Sequence, residues 1–235
     1  MQEKEIVMRE FNALKNYPSP KAKRYVSKNL RTIQSKIIAS YRDESYYDGD
    51  RINGYGGYNY DGRWKDIATF MYSEYTLNKE SSLLQLGCEK GFLLSDFKTL
   101  YPTLNISGTE ISAYAIEKSM ENIKPNILKV NNFSEIPFTD NIFDLVLAIG
   151  VVYCLTLADA IKCIKEIQRV GKGKSFITLG AYEDEESLQL FKMWSVLGST
   201  ILHVDEWREV LKHCNYTGDY AFVTGKTLNL EKANN

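Results

Sequence analysis

Residues 81–94 read Ser81-Ser82-Leu83-Leu84-Gln85-Leu86-Gly87-Cys88-Glu89-Lys90-Gly91-Phe92-Leu93-Leu94, and this stretch decides the fold. The apolar run at 83–86 predicts a short buried strand, and the apolar residues at 92–100 recur at helical spacing. Two glycines stand between them. Gly87 lets the chain turn sharply and Gly91 lets the backbone approach a ligand, because neither carries a Cβ. Outward from this turn, strands are predicted at 106–109, 127–130, 143–149 and 175–179, with helices at 113–122 and 157–170. That alternation predicts an α/β fold: a mostly parallel sheet with helices on both faces. Ligands of such sheets bind at the carboxyl ends of the strands, where the strand order reverses.

The second strand ends on Glu110, in Ser107-Gly108-Thr109-Glu110-Ile111. A carboxylate there can accept from both hydroxyls of a ribose. Equally, it can be an acid at a helix N-terminus, with Ser112 as the cap. Charge separates the nucleotide ligands that such a turn can hold. Dinucleotide sites favour Gly-x-Gly-x-x-Gly, with backbone amides facing a pyrophosphate. Here Glu89 replaces the middle glycine, and a carboxylate repels a pyrophosphate. It does not repel S-adenosylmethionine (SAM), which carries a sulfonium and an ammonium, so the sign of the charge favours that cofactor.

At this point residues 81–179 resemble the core of the class I SAM-dependent methyltransferases. Leu83-Leu84-Gln85-Leu86-Gly87-Cys88-Glu89-Lys90-Gly91-Phe92-Leu93-Leu94 is similar to their first motif, Asp-x-Gly-Cys-Gly-x-Gly, and Glu110 to their ribose-binding acid. Asn131-Asn132-Phe133 resembles the segment whose Asp meets the adenine amine. Residues 143–151 resemble the fourth-strand motif, and 161–173 the helix and turn before the fifth strand. The resemblance implies a three-layer Rossmann-like fold and a cofactor site of Gln85, Gly87, Cys88, Glu89, Gly91, Glu110, Ile111, Asn131, Asn132, Phe133, Ile149 and Gly150. Three positions depart from the pattern. Gln85 replaces an Asp, Glu89 a glycine, and Asn132 an Asp, although an amide oxygen can still accept from the adenine amine.

Residues 77–235 are thus expected to form the SAM-binding domain, and 1–76 an N-terminal helical extension with a lid. Residues 21–41 are predicted as a helix, because Val26, Leu30, Ile33 and Ile37 share a face; Pro18 and Pro20 precede it. Its other face carries Lys21, Lys23, Arg24, Lys28, Arg31 and Lys36, a solvated surface or a docking site for an anion. Residues 46–64 hold five glycines and six aromatics. Glycines prevent regular structure and the aromatics are too many for a disordered linker, which predicts a lid or binding loop. The run from Asp48 to Trp64 resembles a subgroup of bacterial methyltransferases of surface-polysaccharide or other biosynthetic clusters, which implies a small or sugar-like acceptor. In this loop Arg51 and Arg63 are candidates for holding a carboxylate or phosphate, and Tyr55 and Tyr58, with Tyr153, for an aromatic wall. Trp64 is expected to pack on the core.

The fourth strand runs into Ala148-Ile149-Gly150-Val151-Val152-Tyr153-Cys154. It lacks the proline signature of amino-methyltransferases of DNA bases and the Pro-Cys of cytosine-C5 enzymes. It also lacks the His-His of many small-molecule relatives. Catalytic candidates are therefore Tyr153 and His203, the latter ahead of Asp205, which is read as a helix cap. A helix is expected over 183–198, where this family often inserts a substrate cap.

Composition narrows the alternatives. The 235 residues carry a formal net charge of −1, which argues against a nucleic-acid partner. The chain has no long apolar run for a membrane span, and residues 1–10 lack the order of a signal peptide, so the expected location is cytoplasmic. Cys88, Cys154, Cys163 and Cys214, with His203 and His213, form no metal-ligand spacing; reduced thiols and no metal are expected. The expected partner is a small-molecule or sugar-linked substrate, methylated on O or N; a homodimer stays open. A catalytically degenerate SAM-binding or interaction protein, and an RNA or protein methyltransferase using the basic residues, are the competing readings.

Overall fold

The computed structural model describes residues 8–18 and 22–233. The expectations resting on residues 1–7, Pro20 and Lys21 lie outside them. In chain order the elements are β1 (Arg9–Glu10), β2 (Arg24–Val26), α1 (Ile33–Ser40), α2 (Glu44–Tyr47), α3 (Lys65–Glu74), β3 (Ser82–Leu86) and α4 (Phe92–Leu100). Then follow β4 (Asn105–Glu110), α5 (Ala113–Glu117), β5 (Ile127–Lys129), β6 (Leu145–Ala148), α6 (Leu157–Val170), β7 (Ser175–Tyr182), α7 (Glu185–Trp194), β8 (Leu202–His203), α8 (Val204–His213), β9 (Asp219–Val223) and β10 (Leu230–Lys232).

The described strands form an eight-stranded sheet in the order β1-β9-β7-β6-β3-β4-β5, with β8 alongside the end of β7. Every pairing in it is parallel. The chain moves outward from β3 through β4 to β5, then returns to β6 on the other side of β3. The strand order therefore reverses between β3 and β6, the point at which sheets of this kind bind their ligands, beyond the carboxyl ends of the strands. Gly87 and Gly150 stand just beyond those ends.

Alternation along the strands divides the core in two. Leu84, Leu86, Val146 and Ala148 pack with Ile164 and Ile167 of α6 and with Trp207 and Leu211 of α8. Leu83, Leu145 and Leu147 face Ile67 and Met71 of α3 and Leu94 and Phe97 of α4. Successive side chains of a strand point to opposite faces, so this is the three-layer arrangement the pattern predicts. Trp207 is fully buried, and its indole N–H donates to Gly180 O at 2.8 Å. No helix among the described residues is long and apolar enough to cross a membrane.

The expected helix over 21–41 is a strand followed by a short helix. Arg24–Val26 pairs in parallel with Leu230–Lys232, and only Ile33–Ser40 is helical. The expected apolar face fails: Val26 is buried, but Ile33 is 72% exposed, and α1 buries Ser35 and Ala39 instead. Strand pairing with a distant segment overrode local periodicity. Lys23, Arg24, Lys28, Arg31 and Lys36 consequently share no helix face. Among the described residues of 1–76, β1 edges the sheet beside β9 and α3 packs in the core. The expected helix at 113–122 stops at Glu117, and the one at 183–198 spans Glu185–Trp194, started by an Asp184–Ser187 capping box.

Candidate cofactor and acceptor site

The turn after β3 is built from left-handed backbone. Gly87 has φ 60° and Gly91 φ 74°, and between them Glu89 has φ 53°. A Cβ on Gly91 would lie 2.2 Å from Ile123 Cδ1, and one on Gly87 2.5 Å from Val151 Cγ2, so both positions require glycine. Glu89 adopts the conformation of the glycine it replaces, at a cost of about 1 kcal/mol. Two contacts hold it there. Its N–H donates to Glu110 Oε2 at 2.8 Å, and its carboxylate accepts from the Tyr55 hydroxyl at 2.8 Å.

Glu110 is buried and closes β4, the strand end at which the sequence placed it. Its Oε1 accepts from the N–H groups of Ile111 and Ser112, both at 2.8 Å. The Ser112 hydroxyl caps α5 by accepting from Ala115 N–H, as expected. Glu110 therefore braces the turn, and its Oε2 keeps one lone pair for a ligand.

The 46–64 segment closes over this turn. The Lys90 ammonium, nearly buried, donates to both Asp48 oxygens at 2.7 Å and to Tyr58 O at 2.8 Å. The Tyr114 hydroxyl adds a bond to Asp48 at 2.7 Å. Tyr58 stacks on Phe92 at 4.7 Å and lies 4.3 Å from Tyr55, and the Tyr60 hydroxyl reaches Asp96. Trp64 packs against Tyr17, as expected, at 4.9 Å. Burial opposes the Asp48 charge, but Lys90, Tyr114 and the Tyr58 N–H outweigh it and hold the carboxyl below its ordinary value.

The same enclosure acts on Glu89 in the opposite direction. Burial pushes its carboxyl up to about 7, and Glu110 adds repulsion, while the Tyr55 bond pulls the other way. Arg42, at φ 50°, brings a guanidinium into this neighbourhood. Burial disfavours its charge, but the acidic groups of Tyr46, Cys154, Tyr47 and Glu110 more than compensate. Arg42, Asp48 and Lys90 were missed as site residues. The Asp-Gly-Asp-Arg run marked the loop, but nothing local marks which charge it meets.

The donor set suits a cationic ligand. Glu89 and Glu110 supply carboxylates, and Gln85 Oε1 and the Tyr47 hydroxyl are buried without a hydrogen-bond partner. Unpaired buried polar atoms are costly, so an ammonium donor at Gln85 would be stabilising. Gly150, at φ 75°, donates its N–H to Thr178 Oγ1 at 2.8 Å, and Ile149 packs against the core on the α3/α4 side. Phe133 is buried beneath Gly87, its ring tip 3.6 Å from where a Cβ would stand. Cys88 is buried, which pushes its thiol well up and leaves it unreactive.

Other expected residues fall differently. Asn131 and Asn132 are exposed, and Asn132 Oδ1 accepts from Ser134 N–H, Ser134 Oγ and Glu135 N–H at 3.0–3.1 Å. That oxygen caps its own turn, so an adenine amine would have to compete with three donors. Arg51 and Arg63 share no contact among the described residues. Arg63 is bound to Asp61 and reaches the Tyr17 hydroxyl at 3.1 Å; Arg51 donates to the carbonyls of Gly54 and Tyr55. Tyr153 does join the site: its hydroxyl lies 4.0 Å from a Cβ built on Gly150, and Tyr46, Glu89 and Arg42 act on it. Burial raises its hydroxyl well above the ordinary value, so it can donate a hydrogen bond but is unsuited to be a base. His203, not Asp205, caps α8; its Nδ1 accepts from Asp205 N–H at 3.3 Å and its ring packs on Tyr182. Among the described residues it touches neither Glu89 nor Tyr153.

Comparison with known proteins agrees with this geometry. Residues 84–179 match the model of the methyltransferase domain family. Among solved structures, the YcgJ protein of Bacillus subtilis superposes with a TM-score of 0.51 at 15% identity, over 63% of this chain and 66% of that one. SAM-bound CalS10, an amino pentose methyltransferase from Micromonospora echinaspora, gives 0.38 at 22% identity, over 45% and 47%. An S-adenosylmethionine-dependent methyltransferase from Clostridium acetobutylicum gives 0.37 at 18% identity, over 46% and 45%. The chain thus spans between under half and about two thirds of these neighbours' lengths. No curated protein matches the sequence. The parallel sheet and the glycine turn after its central strand give the chain a Rossmann-like fold, and residues 84–179 of it match a methyltransferase domain.

Proposed function

We propose that this protein transfers a methyl group from SAM to a small-molecule or sugar-like acceptor, on O or N, inside the enclosure made by residues 46–64. The observation that carries the reading is the attachment of that loop to the cofactor turn through Tyr55–Glu89 and Lys90–Asp48. A loop pinned there excludes water from the turn, which favours a compact acceptor over a duplex or a folded protein. When bound, SAM supplies an electrophilic methyl carbon for in-line displacement. Glu89, Glu110 and Gln85 would hold it, with the positive charge beside the two carboxylates. Tyr153 would offer its hydroxyl as a hydrogen-bond donor beyond the end of β6, and Tyr55 and Tyr58 would wall the acceptor side. The test is SAM binding by calorimetry together with turnover after deletion of residues 51–63. Binding with turnover lost supports the lid; normal turnover refutes it.

Glu110 and Asn132 favour a second reading, a SAM-binding protein without catalysis, because their oxygens are largely occupied by backbone donors. S-adenosylhomocysteine formed with any acceptor in a broad screen would exclude it.

A further inference from the structure

On the other side of the 46–64 loop, a cavity of about 200 Å³ opens between β2, the turn before α1, the loop and the end of α7. Three guanidiniums line it: Arg24, Arg31 and Arg51, beside Trp194. Elsewhere in the molecule Arg9, Arg63, Arg169 and Arg208 each hold a carboxylate. None of the three cavity arginines has such a partner among the described residues. Arg31 instead donates to the carbonyls of Trp194, Arg51 and Gly54, and Arg51 to those of Gly54 and Tyr55. These bonds orient the guanidiniums without neutralising them.

The charges strain against each other. Burial, then the proximity of Arg51, draws Arg31 down to about 10, and the same two causes lower Arg24. A folded protein retains unpaired, mutually repelling guanidiniums in one cavity most readily where an oxyanion completes them. The volume equals that of about seven waters, enough for a phosphate or diphosphate.

We infer that this cavity is a binding site for a phosphate or diphosphate group carried by the methyl acceptor, held by Arg24, Arg31 and Arg51, with the Arg31 guanidinium over the ring of Trp194. This rests on the methyltransferase reading above and specifies its substrate class. The loop supplies the connection. Arg51 donates to the Tyr55 carbonyl and the Tyr55 hydroxyl donates to Glu89, so one tyrosine separates the arginine cavity from the cofactor turn. The anion site and the cofactor turn are thus neighbours, coupled through Tyr55. Arg31 ties the loop to α7 at the same point, so the anion would also fasten the lid.

Inorganic pyrophosphate is the probe, added to the SAM-saturated protein, with acetate at equal ionic strength as the control. Saturable quenching of Trp194 fluorescence, absent in Trp194→Phe, is expected together with a rise in Tm. Arg24→Gln should bind pyrophosphate at least tenfold more weakly. Arg24 makes no side-chain hydrogen bond among the described residues, so its removal relieves repulsion and should leave the Tm without anion unchanged or higher. If Arg24→Gln misfolds, Arg51→Gln measured the same way replaces it, with the same tenfold loss expected. Equal response to acetate, no saturable response, or unchanged affinity in the variant would each overturn the inference. Failure of pyrophosphate with SAM binding intact refutes only this site, whereas failure of SAM binding itself refutes the methyltransferase reading.

Discussion

Glu89→Gln keeps the shape of the cofactor turn and removes its titrating charge. Burial holds this carboxyl near 7, so in the free protein it is mostly neutral at pH 6 and mostly ionised at pH 7.5. A bound ammonium or sulfonium favours the ionised form and draws the value back toward that of an ordinary carboxylate. The apparent affinity for SAM should therefore rise roughly eightfold between pH 6 and pH 7.5, following the ionised fraction of the free protein. Above that range the α-amino group of SAM itself begins to lose its proton, near about 8, which sets the upper limit of the assay. A hydrogen bond to a charged group contributes about 1.5–3 kcal/mol, so Glu89→Gln should weaken binding at pH 7.5 by roughly 10–100-fold. The substitution should also flatten the pH dependence. Calorimetric titrations of SAM into both proteins at the two pH values measure this. Equal affinities with equal slopes would refute the role of Glu89 as partner of a cationic cofactor. The free protein provides a second readout with the opposite sign. A carboxyl whose folded-state value is raised from 4.5 to about 7 binds more protons folded than unfolded over that interval, so stability falls as pH rises through it. Glu89→Gln should accordingly be more stable than the parent at pH 8, by up to about 3 kcal/mol, and equal to it near pH 4.

Lys90→Met leaves Asp48 without its cation; urea unfolding should show a loss of about 3 kcal/mol, and the 46–64 loop should be cleaved faster by protease. Tyr55→Phe removes the hydroxyl that stabilises the Glu89 carboxylate, so the midpoint of the pH-dependent SAM affinity should move up by about one unit. Gly91→Ala must place a Cβ against Ile123 in left-handed backbone, and should lower the Tm and SAM affinity together, by about 2 kcal/mol of stability. His203→Asn preserves a good helix cap and should keep turnover within a few-fold; a loss above about tenfold would restore His203 as a base.

The 83–100 strand, turn and helix were legible because every signal in them is local. Apolar alternation, two glycines and helical spacing lie within a few residues of one another, and α4 and α6 occupy the predicted 92–100 and 157–170. Glu110 was legible for the same reason, since a strand of known start places its own last residue. The sign of the charge at Glu89 was also readable, because it needs only the residue's identity.

Tertiary structure decided everything that depends on meetings across the chain. Arg24–Val26 carries a helical pattern but pairs with Leu230–Lys232, a contact some two hundred residues distant that local propensity cannot anticipate. Burial under Tyr55 and Tyr58 turns Glu89 from an ordinary carboxylate into a group titrating near neutrality, and burial is a property of the packed molecule. Asp48 finds Lys90, and His203 takes the cap expected of Asp205. The sequence set Arg24 and Arg31 on one basic helix face and Arg51 in the loop as an anion-holding candidate; only the fold brings the three round one cavity. Residue identity and short-range spacing thus determine the turn and its cofactor class. Which charges face each other, and what they can then bind, follows from long-range packing.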